Sequence, residues 1–393
     1  MNQAGTPCAL NDRLTGFSCI RCKTKLPIGD YFEGCPACLA SGQPSSVRSE
    51  YQDLPTAISR FDARGMARFA DWLPYSAWVS LGEGATSCVN FPALAAEVGV
   101  KGIIVKNEGQ NPSGSHKDRV SSLTVTRALD VGAKRIAAAS SGNGGASLAL
   151  YAAAAGLDCS IIVTAALSPI HRRAITQTGA ELISVEDALD RWRLLGDMGK
   201  ETGSFPATNY LIPPVGSNHF GIEGLKTVAY ELVEDCGDDL DAVLVPTSRG
   251  DLVWSLYDGF RQMMAGGHIA RIPRLYVVEP FPRLRKVMQG FAPNGSFLGK
   301  TSLFSIDGFT VTYQAVEAVR ASKGGAVVVE DATVVQDAAR LARHGCYAEL
   351  SAAATLTGLE TLLANGTVGR DETVALISTS NGYKDWPDQV GPA

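Results

Sequence analysis

Four cysteines near the start of the chain have the spacing of metal ligands. Cys19, Cys22, Cys35 and Cys38 form the pattern C-x2-C-x12-C-x2-C. Two residues between thiolates let a tight turn direct both sulfurs at one tetrahedral ion, and the intervening loop brings the second pair opposite the first. The spacing predicts a zinc ribbon over residues 16–40 with a structural zinc; the alternative is four unrelated thiols.

A lysine follows a Pro-Ser-Gly turn in the segment N-P-S-G-S-H-K-D-R, residues 111–119. The turn places Lys117 at the beginning of a predicted helix. A cation there opposes the macrodipole and destabilises the helix by about 0.3 kcal/mol or more. The same field favours the neutral amine, which suits a lysine that forms an imine. Lys117 is therefore a candidate for covalent chemistry; the alternative is an ordinary solvated lysine.

Three more loops rich in Gly, Ser, Thr and Asn lie where a predicted strand is followed by a helix. Their sequences are S-S-G-N-G-G-A-S (140–147), P-T-S-R-G-D-L (246–252) and S-T-S-N-G-Y-K-D (378–385). Backbone N–H groups at a helix start can bind a carboxylate or a phosphate, although a tight turn needs no ligand. Asn143 adds a donor for a ring hydroxyl, and the hydroxyl of Thr379 can face a heteroaromatic nitrogen.

Length and composition limit the class of protein. The 393 residues suffice for two or three domains with a large core. Apolar residues make up 45% and charged residues 19%, a balance that fits neither a disordered nor a membrane-spanning chain. The net charge of -5 provides no positive field for nucleic acid. The first residues lack the pattern of a secretory signal, so we expect a cytoplasmic protein.

Short β-branched runs alternate with Ala- and Leu-rich helical runs from about Lys101 onward, which predicts an α/β fold. The predicted strands are Gly102–Lys106, Arg135–Ala139, Cys159–Val163, Leu182–Val185, Ala242–Val245, Arg274–Glu279, Ala326–Val329 and Thr373–Ser378. The four loops therefore lie at strand ends, where open α/β sheets bind ligands.

Together these segments resemble the fold type II pyridoxal-phosphate enzymes, and in particular the threonine synthase-like group. The likeness extends from about Leu81 to Asp385. Its motifs are L-G-E-G-A-T (81–86), K-N-E-G-Q-N-P-S-G-S-H-K-D-R (106–119), S-S-G-N-G-G-A-S (140–147), I-E-G-L-K-T (222–227), E-L-S-A-A-A (349–354) and T-S-N-G-Y-K-D (379–385). The resemblance implies two open α/β domains with pyridoxal 5'-phosphate in the cleft, and some members of the group also carry an N-terminal zinc ribbon.

The resemblance also implies roles for individual residues. Lys117 would bind the cofactor covalently and later move the Cα proton, Asn143 would donate to the phenolic oxygen, and Thr379 would face the pyridine nitrogen. A hydroxyl there leaves the ring nitrogen largely unprotonated and favours elimination and replacement over transamination. The implied phosphate-binding residues are Thr247, Ser248, Arg249, Gly250 and Asp251. The implied substrate-binding residues are Ser115, His116, Ser140, Ser141, Gly142 and Gly144, of which the loop 140–144 would bind the carboxylate.

Three departures from the group bear on the substrate. Gly221 stands where threonine synthases usually have an arginine that helps to bind the phosphate of O-phosphohomoserine. His116 stands where Phe is common, and Arg249 and Asp251 interrupt a phosphate loop that is usually uncharged. A charge-assisted contact is worth about 1.5–3 kcal/mol. We therefore expect a rebuilt substrate pocket, with Arg249 as the candidate cation.

The leading hypothesis is a pyridoxal-phosphate-dependent carbon–oxygen lyase that eliminates or replaces an O-linked substituent at the β or γ carbon of an amino acid. Alternatives with the same chemistry are a cysteate-synthase-like β-replacement on phosphoserine and a threonine or serine ammonia-lyase. A non-enzymatic alternative is a cofactor-binding sensor, which the intact Lys117, Asn143 and Thr379 disfavour. A ribbon that binds nucleic acid is a further alternative, disfavoured by its mixed charges.

The expected domains are residues 1–45 for the ribbon and its linker, 46–124 with 206–393 for a larger cofactor-binding α/β domain, and 125–205 for a smaller α/β domain. We expect a homodimer that acts on a small-molecule amino acid, with neither nucleic acid nor membrane as a partner. Lys106, Lys226 and Lys384 are expected to be solvated.

Overall fold

The computed structural model describes residues 8–293 and 297–385, which form two compact units. The first unit contains the described residues of Met1–Gly84 and Lys117–Thr227, and the second contains those of Ala85–His116 and Val228–Ala393. These limits differ from the expected domains. The reason is that the N-terminal residues share a hydrophobic core with helices that follow Lys117.

Strands and helices alternate through both units. The strands are β1 (Ala9–Leu10), β2 (Leu14–Cys19), β3 (Lys25–Leu26), β4 (Val47–Tyr51), β5 (Tyr75–Ala77), β6 (Cys88–Asn90), β7 (Gly102–Asn107), β8 (Arg135–Ala139), β9 (Asp158–Thr164), β10 (Glu181–Val185), β11 (Phe205–Pro206), β12 (Ala242–Pro246), β13 (Arg274–Glu279), β14 (Gly325–Val328) and β15 (Thr373–Ser378). The helices are α1 (Pro36–Ala40), α2 (Pro92–Val98), α3 (Lys117–Asp130), α4 (Asn143–Ala155), α5 (Pro169–Thr176), α6 (Ala188–Glu201), α7 (His219–Glu223), α8 (Lys226–Cys236), α9 (Asp251–Ala265), α10 (Leu284–Met288), α11 (Tyr313–Ala321), α12 (Asp331–Arg343) and α13 (Leu350–Ala364).

The first unit is built on a parallel four-stranded sheet of order β10-β9-β8-β11. Ile136 and Ile161 in its central strands are fully buried, as expected where both faces of a parallel sheet are covered. The Ala-rich α4 packs in the same core through Leu148 and Tyr151. This helix ends at Gly156, whose left-handed conformation with φ of 69° suits glycine.

The N-terminal segment of the first unit forms a three-stranded antiparallel sheet of order β3-β2-β4. Strand β4 follows residues 1–45, which were expected to hold the ribbon and its linker, and Val47 and Ser49 are buried in it. The core beneath this sheet includes Phe17 of β2, Leu123 of α3 and Phe220 of α7. The ribbon therefore packs as part of the first unit.

The second unit is built on a six-stranded sheet of order β14-β13-β12-β15-β7-β6. All neighbours are parallel except β6, which runs antiparallel to β7. Helix α13 is buried along most of its length and packs in the main core of this unit. The eight strands predicted from the sequence are confirmed, each within one residue at either end. Across the described ranges, no helix combines the length and the apolar character that a membrane crossing requires.

Two lysines expected to be solvated are buried in ion pairs. The Nζ atom of Lys106 on β7 lies 2.5 Å from Glu231 Oε2 and 2.5 Å from the carbonyl oxygen of Thr86. Lys106 is 0% and Glu231 3% exposed. In the first unit, Lys226 is 1% exposed and lies 2.6 Å from Glu223 Oε2. The expectation was wrong because each lysine has a carboxylate partner that replaces water.

Lys106→Met is expected to lower the free energy of unfolding by about 3–5 kcal/mol, because it leaves the Glu231 carboxylate buried without its cation. For a unit of this size the melting temperature should fall by roughly 6–20 °C, as measured by calorimetry. Lys25→Met is the matched control, because the Lys25–Glu50 pair is largely exposed on its lysine side. An equal effect of the two variants would contradict the assignment of Lys106 to a buried pair that supports the second unit.

Candidate active site

Three of the loops predicted to carry chemistry lie at one edge of the sheet in the second unit. Thr247 follows β12, Thr379 follows β15, and the segment Glu108–His116 follows β7. These three strands are parallel neighbours in the order β12-β15-β7. Because the carboxyl ends of parallel strands meet at the same edge, the three loops are neighbours there, as in other open α/β sheets that bind ligands.

The loop Thr247–Asp251 is clamped from three sides. Arg283 is 1% exposed, and its Nη2 donates to the carbonyl oxygen of Thr247 at 2.7 Å. Thr312 Oγ1 donates to the carbonyl oxygen of Arg249 at 2.8 Å. Gly250 has a φ of 108°, and an added Cβ would lie 2.2 Å from the Cβ of Ala315. The loop conformation therefore requires glycine at position 250.

The same loop has the properties of an anion site. Among the described residues, no acceptor meets the backbone N–H of Ser248 or of Gly250. Both groups lie at the start of α9, a 15-residue helix whose dipole favours negative charge there. Arg249 is half-buried, and burial lowers the pKa of its guanidinium while Asp251 opposes that shift. These donors fit the phosphate group of a cofactor.

The segment before Lys117 is fixed against the loop after β15. The backbone N–H of His116 donates to the carbonyl oxygen of Thr379 at 3.0 Å, and its Nδ1 lies 3.1 Å from the same oxygen. Since a carbonyl only accepts, Nδ1 carries the proton. Ser115 forms an isolated bridge with Ser380 and is fully buried, yet its Oγ has no hydrogen-bond partner among the described residues. An orphaned buried hydroxyl two residues before Lys117 in the sequence fits a ligand group.

A carboxylate pair supports the last loop. Oδ2 of Asp385 accepts from the backbone N–H of Leu350 at 2.9 Å, and Glu349 accepts from Ser305 Oγ. Burial and the neighbouring Glu349 raise the pKa of Asp385 to about 7. This carboxyl group therefore exchanges its proton near neutral pH, unlike an exposed aspartate.

Lys117 is the first residue of α3 in the first unit, as the sequence predicted. The turn that it begins is fixed by buried polar contacts. Oδ1 of Asp118 accepts from Ser147 Oγ at 2.6 Å, which joins the starts of α3 and α4. Nη1 of Arg119 donates to Thr227 Oγ1 at 2.7 Å. The backbone that carries Lys117 is therefore held to α4 and to the start of α8.

The loop Ser140–Gly144 follows β8 and opens α4. Ser140 Oγ accepts from the backbone N–H of Gly145 at 3.0 Å. Ser141 Oγ accepts from the backbone N–H of Thr164 at 3.2 Å and from Nη1 of Arg191 at 2.9 Å. An added Cβ on Gly142 would meet no atom within 4 Å, so the backbone there borders open space. The loop has room for a carboxylate.

Two side chains at this loop were missed by the sequence analysis. Arg191 of α6 contacts Ser141, and His171 of α5 lies with its Nε2 3.3 Å from Oδ1 of Asn143. They come from the segments after β10 and β9; β9 is a parallel neighbour of β8, and β10 is the parallel neighbour of β9. Neither segment has a glycine-rich motif, so the signal that could have found them is their position just after a strand.

Position 221 is closed to any side chain. Gly221 lies in α7, and an added Cβ would be 2.0 Å from Thr124 Oγ1 and 3.0 Å from the carbonyl oxygen of Val120. Both of those residues belong to α3. The close approach of α7 to α3 therefore requires glycine, and an arginine at this position would force the two helices apart.

The four cysteines predicted as metal ligands meet at one point. Their Sγ atoms all lie within 4.8 Å of one another, with Cys19 to Cys38 at 3.6 Å and Cys22 to Cys35 at 3.7 Å. A tetrahedral zinc with Zn–S bonds of about 2.3 Å requires S···S separations of about 3.8 Å. The two short separations match such a site.

The loop of the ribbon between the two cysteine pairs docks on helices of the first unit. Asp30 receives two hydrogen bonds, from Nε and Nη2 of Arg127 in α3, at 2.9 and 3.0 Å. The ring of His219 in α7 packs at 4.7 Å from that of Phe17, and its Nε2 lies 3.0 Å from the carbonyl oxygen of Gly29. Burial lowers the pKa of His219 to about 4, so the ring is neutral at pH 7. The ribbon thus braces the helix that begins at Lys117.

The amino-acid sequence matches known proteins over most of its length. Residues 79–380 match the family model described as pyridoxal-phosphate dependent enzyme. Threonine synthase of Methanocaldococcus jannaschii is 30% identical, with 94% of this chain and 93% of that protein aligned. Threonine synthase of Mycobacterium leprae is 31% identical, with 88% and 92% aligned.

The fold is similar to that of diaminopropionate ammonia lyase from Escherichia coli, solved in complex with D-serine. The TM-score is 0.66 at 17% identity, and the match covers 79% of this chain and 89% of that one. At that identity the likeness concerns the fold alone.

Proposed function

The chain belongs to the family of pyridoxal-phosphate-dependent enzymes, with a fold type II architecture, and we propose that it acts as a threonine synthase-like carbon–oxygen lyase. Its substrate would be an amino acid with an O-linked anionic group at the β or γ carbon. The observation that carries this proposal is the neutral side chain at the end of β15. Thr379 is 5% exposed. In this proposal its hydroxyl would face the ring nitrogen of the cofactor, where a carboxylate would favour transamination.

Individual residues have distinct roles in this proposal. Lys117 binds the cofactor covalently, and Asn143 donates to its phenolic oxygen. The N–H groups of Ser248 and Gly250, with the guanidinium of Arg249, hold its phosphate. The loop Ser140–Gly144 binds the substrate carboxylate. The donors at the start of α9, and the open space at Gly142 in the loop before α4, support these assignments.

The chemistry divides between cofactor and protein. When bound, pyridoxal phosphate supplies an electron sink for the pair left at the substrate Cα. When its Nζ atom is not bound to the cofactor, Lys117 accepts the Cα proton as a general base. The carboxylate site and the fixed start of α3 hold Cα within reach of that nitrogen. The O-linked group leaves with its bonding electrons, so a stable anion such as phosphate is the favoured leaving group.

The second candidate is β-replacement or β-elimination on O-phosphoserine, and Gly221 favours it. Position 221 has no room for the arginine that threonine synthases usually carry there, so that source of phosphate binding is absent. A shorter substrate needs its phosphate bound closer to the carboxylate loop, where Arg191 lies.

A homodimer and a cytoplasmic location remain predictions.

The function is tested with O-phosphohomoserine, O-phosphoserine, threonine and serine. We expect the wild type with cofactor to release phosphate from a phosphorylated substrate, and Lys117→Ala to lose this activity and the covalent cofactor band. Threonine as product identifies γ chemistry, whereas pyruvate or a replacement product identifies β chemistry. Lys134→Ala, at an exposed position just after α3, is the control and should behave as wild type. The proposal would be refuted if Lys117→Ala still held borohydride-reducible cofactor, or if the wild type turned over none of the four compounds.

Arg249→Ala is expected to raise the dissociation constant for pyridoxal phosphate about tenfold or more, because it removes one charge-assisted contact worth about 1.5–3 kcal/mol. Titration of the apoprotein by cofactor absorbance measures this constant. Arg285→Ala is the matched control, since Arg285 is an exposed arginine of the same unit. Unchanged affinity in Arg249→Ala would mean that its guanidinium does not touch the phosphate.

We also infer that Cys19, Cys22, Cys35 and Cys38 bind one structural zinc. The sulfur separations support a closed four-sulfur site, in which no position is left for a substrate. The contacts of Asp30 and Gly29 with α3 and α7 suggest what the metal stabilises.

Cys35→Ser is expected to release about one zinc per chain and to lower the melting temperature, because zinc binding of about 10–16 kcal/mol is coupled to folding of such sites. Hydrogen exchange should become faster in residues 117–130, since the ribbon braces α3. Cys236→Ser, outside the cluster, should retain zinc. Stoichiometric zinc in a chain that lacks both Cys22 and Cys35 would contradict the site.

A further inference from the structure

A histidine lies between a helix cap and the asparagine proposed to contact the cofactor. His171 belongs to α5, which follows β9, the parallel neighbour of β8. Its Nδ1 is 2.8 Å from Ser168 Oγ, and its Nε2 is 3.3 Å from Oδ1 of Asn143. All three residues are in the first unit. The three side chains form a continuous hydrogen-bonded row.

The direction of this row follows from Oδ1 of Asn143, an amide oxygen, which can only accept. Nε2 of His171 therefore carries the proton and donates to it. A neutral imidazole has one donor and one acceptor, so Nδ1 accepts from the hydroxyl of Ser168. The same Ser168 Oγ accepts from the backbone N–H of His171 at 3.3 Å, which caps α5.

The hydrogen bond from Nε2 of His171 fixes the orientation of the Asn143 amide. Asn143 is 6% exposed, so its two ends face defined neighbours instead of water. Rotation of the amide by half a turn would place its NH2 group against the Nε2–H of His171, two donors with no acceptor between them. Buried donors without acceptors are costly, so the rotated amide is disfavoured. The NH2 group is therefore held on the side away from His171.

We propose that His171 is a positioning residue that aims the amide N–H of Asn143 at the phenolic oxygen of the cofactor. This inference rests on the proposed function, since it needs Asn143 to contact that oxygen. His171 itself acts through Asn143. The arrangement is set before the cofactor binds, because every atom in the row belongs to the protein.

The tautomer is the first test, and it does not depend on activity. The sequence has only five histidines, so 15N labelling of histidine gives five resolvable imidazoles, and the His171→Gln spectrum identifies the signal of His171. We expect His171 protonated at Nε2 and unprotonated at Nδ1, both in the apoprotein and with pyridoxal phosphate bound. Protonation at Nδ1 would overturn the proposal, because Nε2 would then accept and the Asn143 amide would face the opposite way.

The second test is the dissociation constant for pyridoxal phosphate, titrated by absorbance. His171→Ala should weaken binding by about 3- to 10-fold, the effect of one misdirected hydrogen bond. His171→Gln keeps an N–H donor and should restore affinity to within about twofold of wild type. Arg172→Ala, at the exposed next position of α5, should leave it unchanged.

The outcomes separate this proposal from the proposed function. If the wild type takes up no cofactor, the proposed function falls, and the positioning role falls with it. If the wild type binds cofactor and His171→Ala binds it equally well, only the positioning role is wrong. Equal losses in His171→Ala and His171→Gln would also overturn it, since they would indicate packing and not a hydrogen-bond donor.

Discussion

Parallel hydrogen bonding between neighbouring strands determines where chemistry is possible in this chain. In the second unit, β12, β15 and β7 are parallel neighbours, so their carboxyl ends lie at one edge of the sheet. The loops that contain Thr247, Thr379 and His116 therefore lie at that edge. In the first unit, β8, β9 and β10 do the same for Ser141, His171 and Arg191. The helices that begin at this edge add their positive ends, so anionic groups are favoured in both units.

Much of this architecture was predictable from local sequence patterns. Runs of Val, Ile and Leu predicted eight strands from β7 onward, and the structure has all eight. Glycine-rich segments predicted the loops after β8, β12 and β15. These signals are local, because a buried parallel strand needs a continuous apolar run and a tight strand-to-helix turn needs small residues. The cluster of four cysteines was predictable for the same reason, since the two members of each pair are only three residues apart.

The contacts that could not be predicted join distant parts of the chain. Lys106 pairs with Glu231, which is 125 residues away in the sequence, and His219 contacts the carbonyl oxygen of Gly29, which is 190 residues away. No periodicity or spacing in the sequence encodes such pairs. A sequence-based prediction therefore treats an isolated lysine as solvated and the ribbon as a separate domain. The burial of polar residues such as Ser49 in β4 was equally hard to predict. Burial there depends on α3 and α7, which come much later in the sequence.

The hydroxyl of Ser141 has a consequence for what this edge of the first unit can recognise. Its oxygen already receives hydrogen bonds from Thr164 and Arg191, which occupy both lone pairs. Only its hydrogen is left to offer, so any molecule that touches this hydroxyl must present an electron pair. A carboxylate satisfies that demand and an ammonium group does not. For a zwitterion that reached this hydroxyl, the serine would accept contact from the carboxylate end and refuse the ammonium end.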